Sequence, residues 1–116
     1  MKKIEAVIRA SKLDEVKQAL HLHGIDGMTI SEVRGLGRDK GRSVVYRGVQ
    51  AAQTMVPRIK LETVVENDYA DEAIDAIYRA AYTGEVGDGR ILVTDLENVI
   101  RIRMGETEAD LYPVAH

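Results

Sequence analysis

The order of its periodic segments limits the possible folds of this chain more than any other feature. Alternation of apolar and polar residues indicates strands, and apolar residues repeating every three or four positions indicate amphipathic helices. The patterns predict a strand, a helix, two strands, a helix and a strand, at about residues 2–9, 12–23, 26–34, 57–66, 69–82 and 90–94. Ser11 is expected to cap the first helix, and a short final strand is expected near 99–103.

Two β-α-β halves in this order predict an α+β fold, the ferredoxin-like split βαβ sandwich (βαββαβ) with four antiparallel strands. Both helices would cover one face of the sheet, a long loop would join strands 2 and 3, and a short C-terminal strand would follow. With 116 residues, the chain is expected to form a single domain over 1–116. In so small a domain the uncovered sheet face is often buried by oligomerisation.

Composition excludes several classes of function. The chain is 45% apolar but has no Phe or Trp, so its core must be aliphatic, and it has no Cys, which excludes disulfides, zinc–thiolate clusters and thiol catalysis. Its 16 basic and 19 acidic side chains give a net charge of −3, which argues against a dedicated nucleic-acid binder. No apolar run approaches the roughly 18 residues of a membrane-spanning helix, so a cytoplasmic protein without membrane insertion is expected.

The interval 35–56 is the sequence's main anomaly, because about 22 residues stand where a typical loop has roughly four to six. Glycines and basic residues are frequent in it. Its first part, Gly35 to Gly41, offers backbone N–H groups that could approach a phosphate, with Arg38 and Lys40 alongside. It matches neither the P-loop nor the dinucleotide fingerprint. A functional loop is therefore predicted, and a hairpin of no consequence is the alternative.

A second glycine-rich turn, from Thr83 to Arg90, links the second helix to the following strand. Gly87 and Gly89 could admit a ligand close to the backbone, with the Arg90 guanidinium directed at it. Alternatively, Asp88 and Gly89 could simply supply the chemistry of a tight turn. The sequence leaves both interpretations open.

Arg101 and Arg103 flank a single residue, so on a strand both guanidinium groups would face the same side. Two adjacent cations repel each other unless an anion lies between them. Together with Arg38 and Arg90 they would suit a polyphosphate, because forked donors bind phosphate well. A solvated edge strand whose arginines pair with carboxylates is the alternative.

No arrangement of residues predicts catalysis. His21 and His23 lie at the end of the first helix, where a cation is favourable, and no nucleophile stands at a suggestive spacing from them. A slow nucleotide hydrolase is possible, but no residue is designated as its base.

Several motifs together resemble the PII signal-transduction family, the nitrogen regulatory P-II proteins, over nearly the whole chain. The most specific are Gly27-Met28-Thr29, Gly35 to Gly41, Tyr46-Arg47-Gly48, Thr83-Gly84 with Gly87 to Ile91, and Arg101 to Thr107. The resemblance implies a homotrimer with nucleotide clefts between subunits, a T-loop at about 36–56 and a C-terminal extension at about 97–116. Such proteins bind ATP and ADP competitively and present the T-loop to ammonium transporters, enzymes and transcriptional regulators.

The resemblance also assigns residues. Gly27, Thr29, Glu62 and Val64 would hold the adenine and ribose, Arg38, Gly87, Gly89 and Arg90 would take the phosphates, and Arg101 and Arg103 would complete the cleft. Gly35, Gly37 and Asp88 are included in this nucleotide-binding set. Asp39, Lys40, Gly41 and Arg58 are candidates for an effector site, Asp39 is a candidate Mg²⁺ ligand, and Arg47 is the residue expected to contact a protein partner.

The departures from the family pattern lie where the family senses and signals. Ala51 stands in place of the uridylylated tyrosine, so that modification cannot occur there. Asp39 replaces the glutamine that helps to ligate Mg²⁺ with ATP and 2-oxoglutarate, and Arg58 replaces the lysine that meets the 2-oxoglutarate carboxylate. Aspartate can ligate Mg²⁺ but would repel a dianion, and arginine differs from lysine in reach and geometry. ATP and ADP binding are expected, with weak or absent 2-oxoglutarate binding.

The sequence thus predicts a regulatory protein and not an enzyme. It would respond to adenine nucleotides and control an ammonium transporter or a protein of nitrogen or carbon metabolism through its T-loop. A specialised paralogue that senses another small anion for a different transporter or pathway is the main alternative. A slow hydrolase and a nucleic-acid binder are less favoured.

Overall fold

The computed structural model describes residues 1–38, 44–46, 49–51 and 53–103. In chain order its elements are strand β1 (Lys2–Ile8), helix α1 (Leu13–Leu22), strands β2 (Thr29–Arg38), β3 (Val44–Tyr46), β4 (Val49–Ala51) and β5 (Gln53–Val65), helix α2 (Asn67–Ala81) and strand β6 (Gly89–Asp95). Neither α-helix is long and apolar enough to cross a membrane, a finding that covers the described ranges alone.

Four strands form one antiparallel sheet in the order β2-β5-β1-β6. The register places Ala6 opposite Leu61 on one side and Ile91 on the other. Consecutive strands are therefore not all neighbours, because each helix crosses over between strands. This topology confirms the predicted ferredoxin-like α+β fold.

One face of the sheet and both helices share a single aliphatic core. Ile4, Ala6 and Ile8 of β1 are fully buried, and they cluster with Leu20 of α1 and Ile77 of α2. Period-two alternation on the strand and 3.6-residue periodicity on the helices bring these side chains together. No aromatic side chain is among the buried core residues of the described chain, as its composition requires.

The interval 35–56 differs from the predicted loop. β2 continues to Arg38 and β5 already begins at Gln53, so Gly35 lies opposite Val56 and Gly37 opposite Thr54. Adjacent antiparallel strands can continue past the core because each added pair satisfies its own backbone hydrogen bonds. Beyond this two-stranded ribbon, β3 and β4 pair with each other.

Three smaller predictions were wrong. Ser11 does not cap α1: it lies in a 3₁₀ turn, Ala10–Lys12, that leads into a helix starting at Leu13, and no side chain bonds to the helix end. β2 starts at Thr29, three residues after the predicted Asp26. The strand expected at 99–103 is reduced to one bridge residue, Ile100, followed by a turn, so the C-terminal strand and its same-sided arginines are not formed.

The core predicts a sharp contrast between two Leu→Ala substitutions. Leu61 is fully buried on a central strand, whereas Leu22 at the end of α1 is 74% exposed. Leu61→Ala should lower the free energy of unfolding by about 2–5 kcal/mol because it leaves a cavity, and Leu22→Ala should change it by less than about 1 kcal/mol. Chemical denaturation measures both, and equal effects would contradict this assignment of the core.

Candidate functional site

The turn between α2 and β6 is organised by the carboxylate of Asp88. This carboxylate accepts hydrogen bonds from the backbone N–H groups of Thr83 (2.8 Å) and Gly84 (2.9 Å), and also from the Thr83 hydroxyl. The Thr83 hydroxyl oxygen in turn accepts from the N–H of Glu85 at 3.1 Å. A single side chain thus closes the turn, which supports the alternative that Asp88 supplies turn chemistry. Its role as a nucleotide ligand stays a prediction.

Arg9 completes this turn, although it belongs to none of the motifs that predicted site residues. Its Nε donates to Asp88 at 3.1 Å, and a terminal nitrogen donates to the carbonyl of Val86 at 2.8 Å. The topology explains why: Ile8 lies opposite Gly89, so the next residue leaves β1 beside the turn. The signal was available in the sequence as a basic residue directly after β1, but it becomes informative only once β1 and β6 are known to be neighbours.

These contacts keep the Asp88 carboxyl ionised. The hydrogen bonds from the hydroxyl and the backbone N–H of Thr83 are the main cause that holds the pKa of Asp88 far below its ordinary value, and those from Gly84 and Arg9 act in the same direction. Donors that bond to the charged form of an acid favour that form. The turn therefore depends on a carboxylate that stays charged throughout the neutral and mildly acidic range.

Two glycines of the turn have backbone conformations that residues with side chains rarely adopt. Gly89 has φ +102°, and a Cβ placed there would lie 1.7 Å from the carbonyl oxygen of Val7. Gly87 has φ +103°, and its Cβ would lie 2.8 Å from a terminal nitrogen of Arg58 and 3.2 Å from one of Arg9. At Gly89 a side chain would collide with backbone, whereas at Gly87 the positive φ favours glycine and the two guanidinium ends could move aside.

Two guanidinium groups, those of Arg9 and Arg58, lie beside Gly87. Arg58 comes from β5, and it also donates to the carbonyl of Pro57 at 3.0 Å. Like charges held together favour a nearby anion, and the Asp88 carboxylate supplies one to Arg9. Arg58, a predicted effector-site residue, is thus brought next to Gly87, a predicted phosphate ligand. We call Arg9, Arg58 and Gly87 the basic corner.

A second group of predicted ligands lies farther along the same face of the sheet. Thr29 lies opposite Glu62, and Val64 lies opposite Lys3. The buried hydroxyl of Thr63 donates to the carbonyl of Gly27 at 2.7 Å, which fixes the segment before β2. The four residues predicted to hold adenine and ribose, Gly27, Thr29, Glu62 and Val64, therefore form one group.

Lysines on this face control the charge of Glu62. Lys3 approaches its carboxylate at 3.0 Å and Lys60 at 3.6 Å. The hydrogen bond from Lys3 is the main cause that lowers the pKa of Glu62, and the same contact raises the pKa of Lys3. Glu62 is therefore an anionic hydrogen-bond acceptor, which suits an amino or hydroxyl donor better than a phosphate.

The two groups are well separated within one chain. The basic corner adjoins the start of β6, whereas Thr29 begins β2, and these strands form opposite edges of the sheet. Three strand spacings make about 14 Å across the sheet, and the four residues from Arg58 to Glu62 make about 13 Å along β5. Among the described residues, each group is brought together, and the two groups lie at different positions on the sheet.

The remaining predicted residues divide by position. Gly35, Gly37 and Arg38 lie in the ribbon at the basic-corner end of β2, Arg90 is exposed near the start of β6, Arg101 is half-buried, and Arg103 is exposed in a turn. Asp39, Lys40, Gly41 and Arg47 lie outside the described residues, so the predictions for them stay open. Within the described ranges, no group of three or more His, Asp or Glu side chains is placed to hold a metal ion.

The fold and the two residue groups together define a small α+β domain with a long β-ribbon and a basic corner. Comparison with known proteins identifies the family. The model of the Nitrogen regulatory protein P-II family matches residues 1–106. The chain belongs to this family.

The matches to individual relatives extend over almost the whole length of both proteins. The Nitrogen regulatory protein P-II of Azospirillum brasilense is 51% identical over 110 residues, which are 95% of this chain and 98% of the relative. The Nitrogen regulatory protein P-II of Pasteurella multocida is 50% identical with the same coverage. Nitrogen regulatory protein P-II 1 of Escherichia coli is 49% identical over 93% of this chain and 96% of the relative. These relatives are named as regulatory proteins and not as enzymes. A regulatory signalling role follows for the chain at this level of detail.

The Asp88 contacts predict a pH-dependent difference between the wild type and Asp88→Asn. Because the folded-state pKa lies below the ordinary value of 3.8, the charged carboxylate stabilises the fold at any pH above that value. This stabilisation is lost as the pH falls below 3.8 towards the folded-state pKa. The wild type should therefore be more stable than Asp88→Asn at pH 6, and the difference should shrink on acidification to about pH 2. Urea titrations across this range measure it, and a constant difference would contradict the role of the charge.

Proposed function

We propose that the chain is a PII-type regulator that binds ATP and ADP in clefts between the subunits of a homotrimer. A change of nucleotide would shift the populations of T-loop conformations, and a protein partner would bind one of them more tightly. Uridylylation plays no part, because Ala51 has no hydroxyl. We place this function in the cytoplasm, with an ammonium transporter or a protein of nitrogen or carbon metabolism as the partner.

The separation of the two residue groups is the observation that carries this proposal. The phosphate candidates of the glycine turn, Gly87, Gly89 and Arg90, adjoin the β6 edge of the sheet, whereas the phosphate candidate Arg38 and the adenine candidate Thr29 lie on β2 at the other edge. In a closed ring of identical copies, the β6 edge of one chain can lie beside the β2 edge of the next, which joins the two groups into one cleft. The partly exposed sheet face, with Lys3, Glu5 and Val7, would then turn towards the other copies.

The chemistry of each group suits one part of the nucleotide. Arg90 and the glycine turn offer a guanidinium and close backbone approach for phosphates. Glu62 offers an anionic acceptor for ribose hydroxyls or an amino group. This matches the division of ligands that the family resemblance implies.

Arg90→Ala tests the phosphate half. Loss of a charge-assisted hydrogen bond costs about 1.5–3 kcal/mol, so ATP and ADP should bind roughly 10–150-fold more weakly by calorimetry. Arg79→Ala is the matched control, since Arg79 is an exposed helix residue whose side chain pairs with Asp75. It should bind nucleotide like the wild type. Unchanged affinity in Arg90→Ala, or no nucleotide binding by the wild type, would contradict the proposal.

Calorimetric titrations with 2-oxoglutarate in the presence of Mg-ATP measure whether the chain binds this effector. The wild type should show weak or no binding, because Asp39 adds a negative charge and Arg58 changes the geometry. The double variant Asp39→Gln with Arg58→Lys restores the family's residue types and should bind 2-oxoglutarate. Micromolar affinity in the wild type would contradict this part of the proposal.

The basic corner favours a second candidate, a specialised member of the family that senses another small anion. Arg9 and Arg58 both approach Gly87, and a guanidinium in place of the family's lysine at Arg58 would suit an anion of a different shape from 2-oxoglutarate. Retention of a partner on the immobilised chain, compared with and without ATP, ADP and candidate anions, would distinguish the two.

A further inference from the structure

The turn between α2 and β6 needs contacts from outside to fix its shape, because its glycines leave the backbone free. Residues 82–88 lie outside the helices and strands, and Gly84 and Gly87 have φ +87° and +103°. Glycine loses more conformational freedom on ordering than any other residue. A turn that offers backbone N–H groups to phosphates binds them best when its conformation is fixed before the ligand arrives.

Arg9 is well placed to fix this turn, because its own backbone is held on both sides. The preceding residue, Ile8, pairs with Gly89 in the sheet. The Arg9 carbonyl accepts a hydrogen bond from the N–H of Lys12 at 3.0 Å, which begins the 3₁₀ turn that follows β1. The side chain of Arg9 therefore extends from the end of a central strand, which is a rigid support, to a turn that has no ladder of its own.

The Arg9 side chain contacts the turn at two points. Its Nε donates to Oδ1 of Asp88 at 3.1 Å, and a terminal nitrogen donates to the carbonyl of Val86 at 2.8 Å. The other carboxylate oxygen, Oδ2, accepts from the N–H groups of Thr83 and Gly84. Arg9 thus holds one oxygen of the carboxylate whose other oxygen holds the start of the turn.

We propose that Arg9 is a positioning residue for nucleotide binding, which holds the glycine turn in the conformation that receives phosphates and does not take the phosphates itself. This inference rests on the proposed function. The Arg9 side chain is only 27% exposed and its charge is balanced by the Asp88 carboxylate, which reduces its attraction for a further anion. Arg90, by contrast, is exposed and suited to direct contact.

Backbone order in the absence of nucleotide tests the positioning directly. In Arg9→Ala, the ¹⁵N order parameters of Gly84 and Gly87 should fall from about 0.85, the value of rigid backbone, towards about 0.6. The order parameter of Leu20, in the core of α1, should not change. A turn that is already mobile in the wild type, or one that stays rigid in Arg9→Ala, would overturn the proposal.

Arg79→Ala is the matched control for this measurement. The Nε of Arg79 also donates to an aspartate, Asp75, at 2.8 Å, but that pair lies on the exposed face of α2. Its loss should leave the order of the turn unchanged. Equal loss of order in Arg79→Ala and Arg9→Ala would overturn the proposal, because removal of any arginine near the end of α2 would then be enough.

The affinity for ADP shows whether Arg9 acts through Asp88. Arg9→Ala should weaken ADP binding roughly 3- to 30-fold by calorimetry. The informative second change is Asp88→Asn, because an amide can keep its oxygen at the Oδ2 position and place its NH₂ where Oδ1 meets Arg9. The bonds to the start of the turn can then persist without the Arg9 contact. In the Asp88→Asn background, Arg9→Ala should weaken ADP binding by only about twofold or less.

Two further outcomes separate the inference from the function on which it rests. An equal loss of ADP affinity on Arg9→Ala in both backgrounds would overturn the inference alone, because Arg9 would then act on the nucleotide directly. Absence of ADP binding by the wild type would overturn the proposed function and the nucleotide role of Arg9 together.

Discussion

The pairing of β1 with two neighbours is the interaction on which the rest of the structure depends. The apolar residues of β1 fill the core on one face of the sheet, and the backbone of β1 is hydrogen-bonded to both β5 and β6. Because Ile8 lies opposite both Ile59 and Gly89, the next residue, Arg9, emerges between Arg58 and the glycine turn. The carbonyl of Val7 approaches Gly89 so closely that no side chain fits there. A single strand thus sets the core, the basic corner and the conformation of the turn.

Much of the fold could be predicted from the sequence, because the spacing of apolar residues along a strand or helix is a local signal of which side is buried. The alternation at Ile4, Ala6 and Ile8 and the β-α-β order led directly to the sheet and its helices. The ribbon was not predicted because glycines such as Gly35 and Gly37 are typical of loops, whereas pairing with Val56 and Thr54, respectively, makes them part of a strand. The intrinsic strand propensity of glycine is weak, so the cross-strand partner decides whether these residues form a strand.

The site could be predicted only in part, for a related reason. The glycine turn was visible as a motif, but the contact between Arg9 and Asp88 joins residues 79 positions apart and depends on strand order. The alternation of Arg101 and Arg103 suggested a strand that is not formed. Within the described part of the chain, the glycine turn adjoins the β6 edge of the sheet, whereas Thr29 begins the β2 edge. The proposed homotrimer would join these groups, so that its assembly would serve the function as well as the stability of the molecule.

Refolding a mixture of two variants tests this account most directly. Arg90→Ala damages the β6-edge half of every cleft and Glu62→Ala the β2-edge half, so each variant refolded alone should bind ATP weakly. If the cleft lies between chains, random mixing places an intact half from each variant together, and about a quarter of the sites should regain wild-type affinity by calorimetry. A mixture that binds ATP no better than the average of the two variants would contradict a shared cleft.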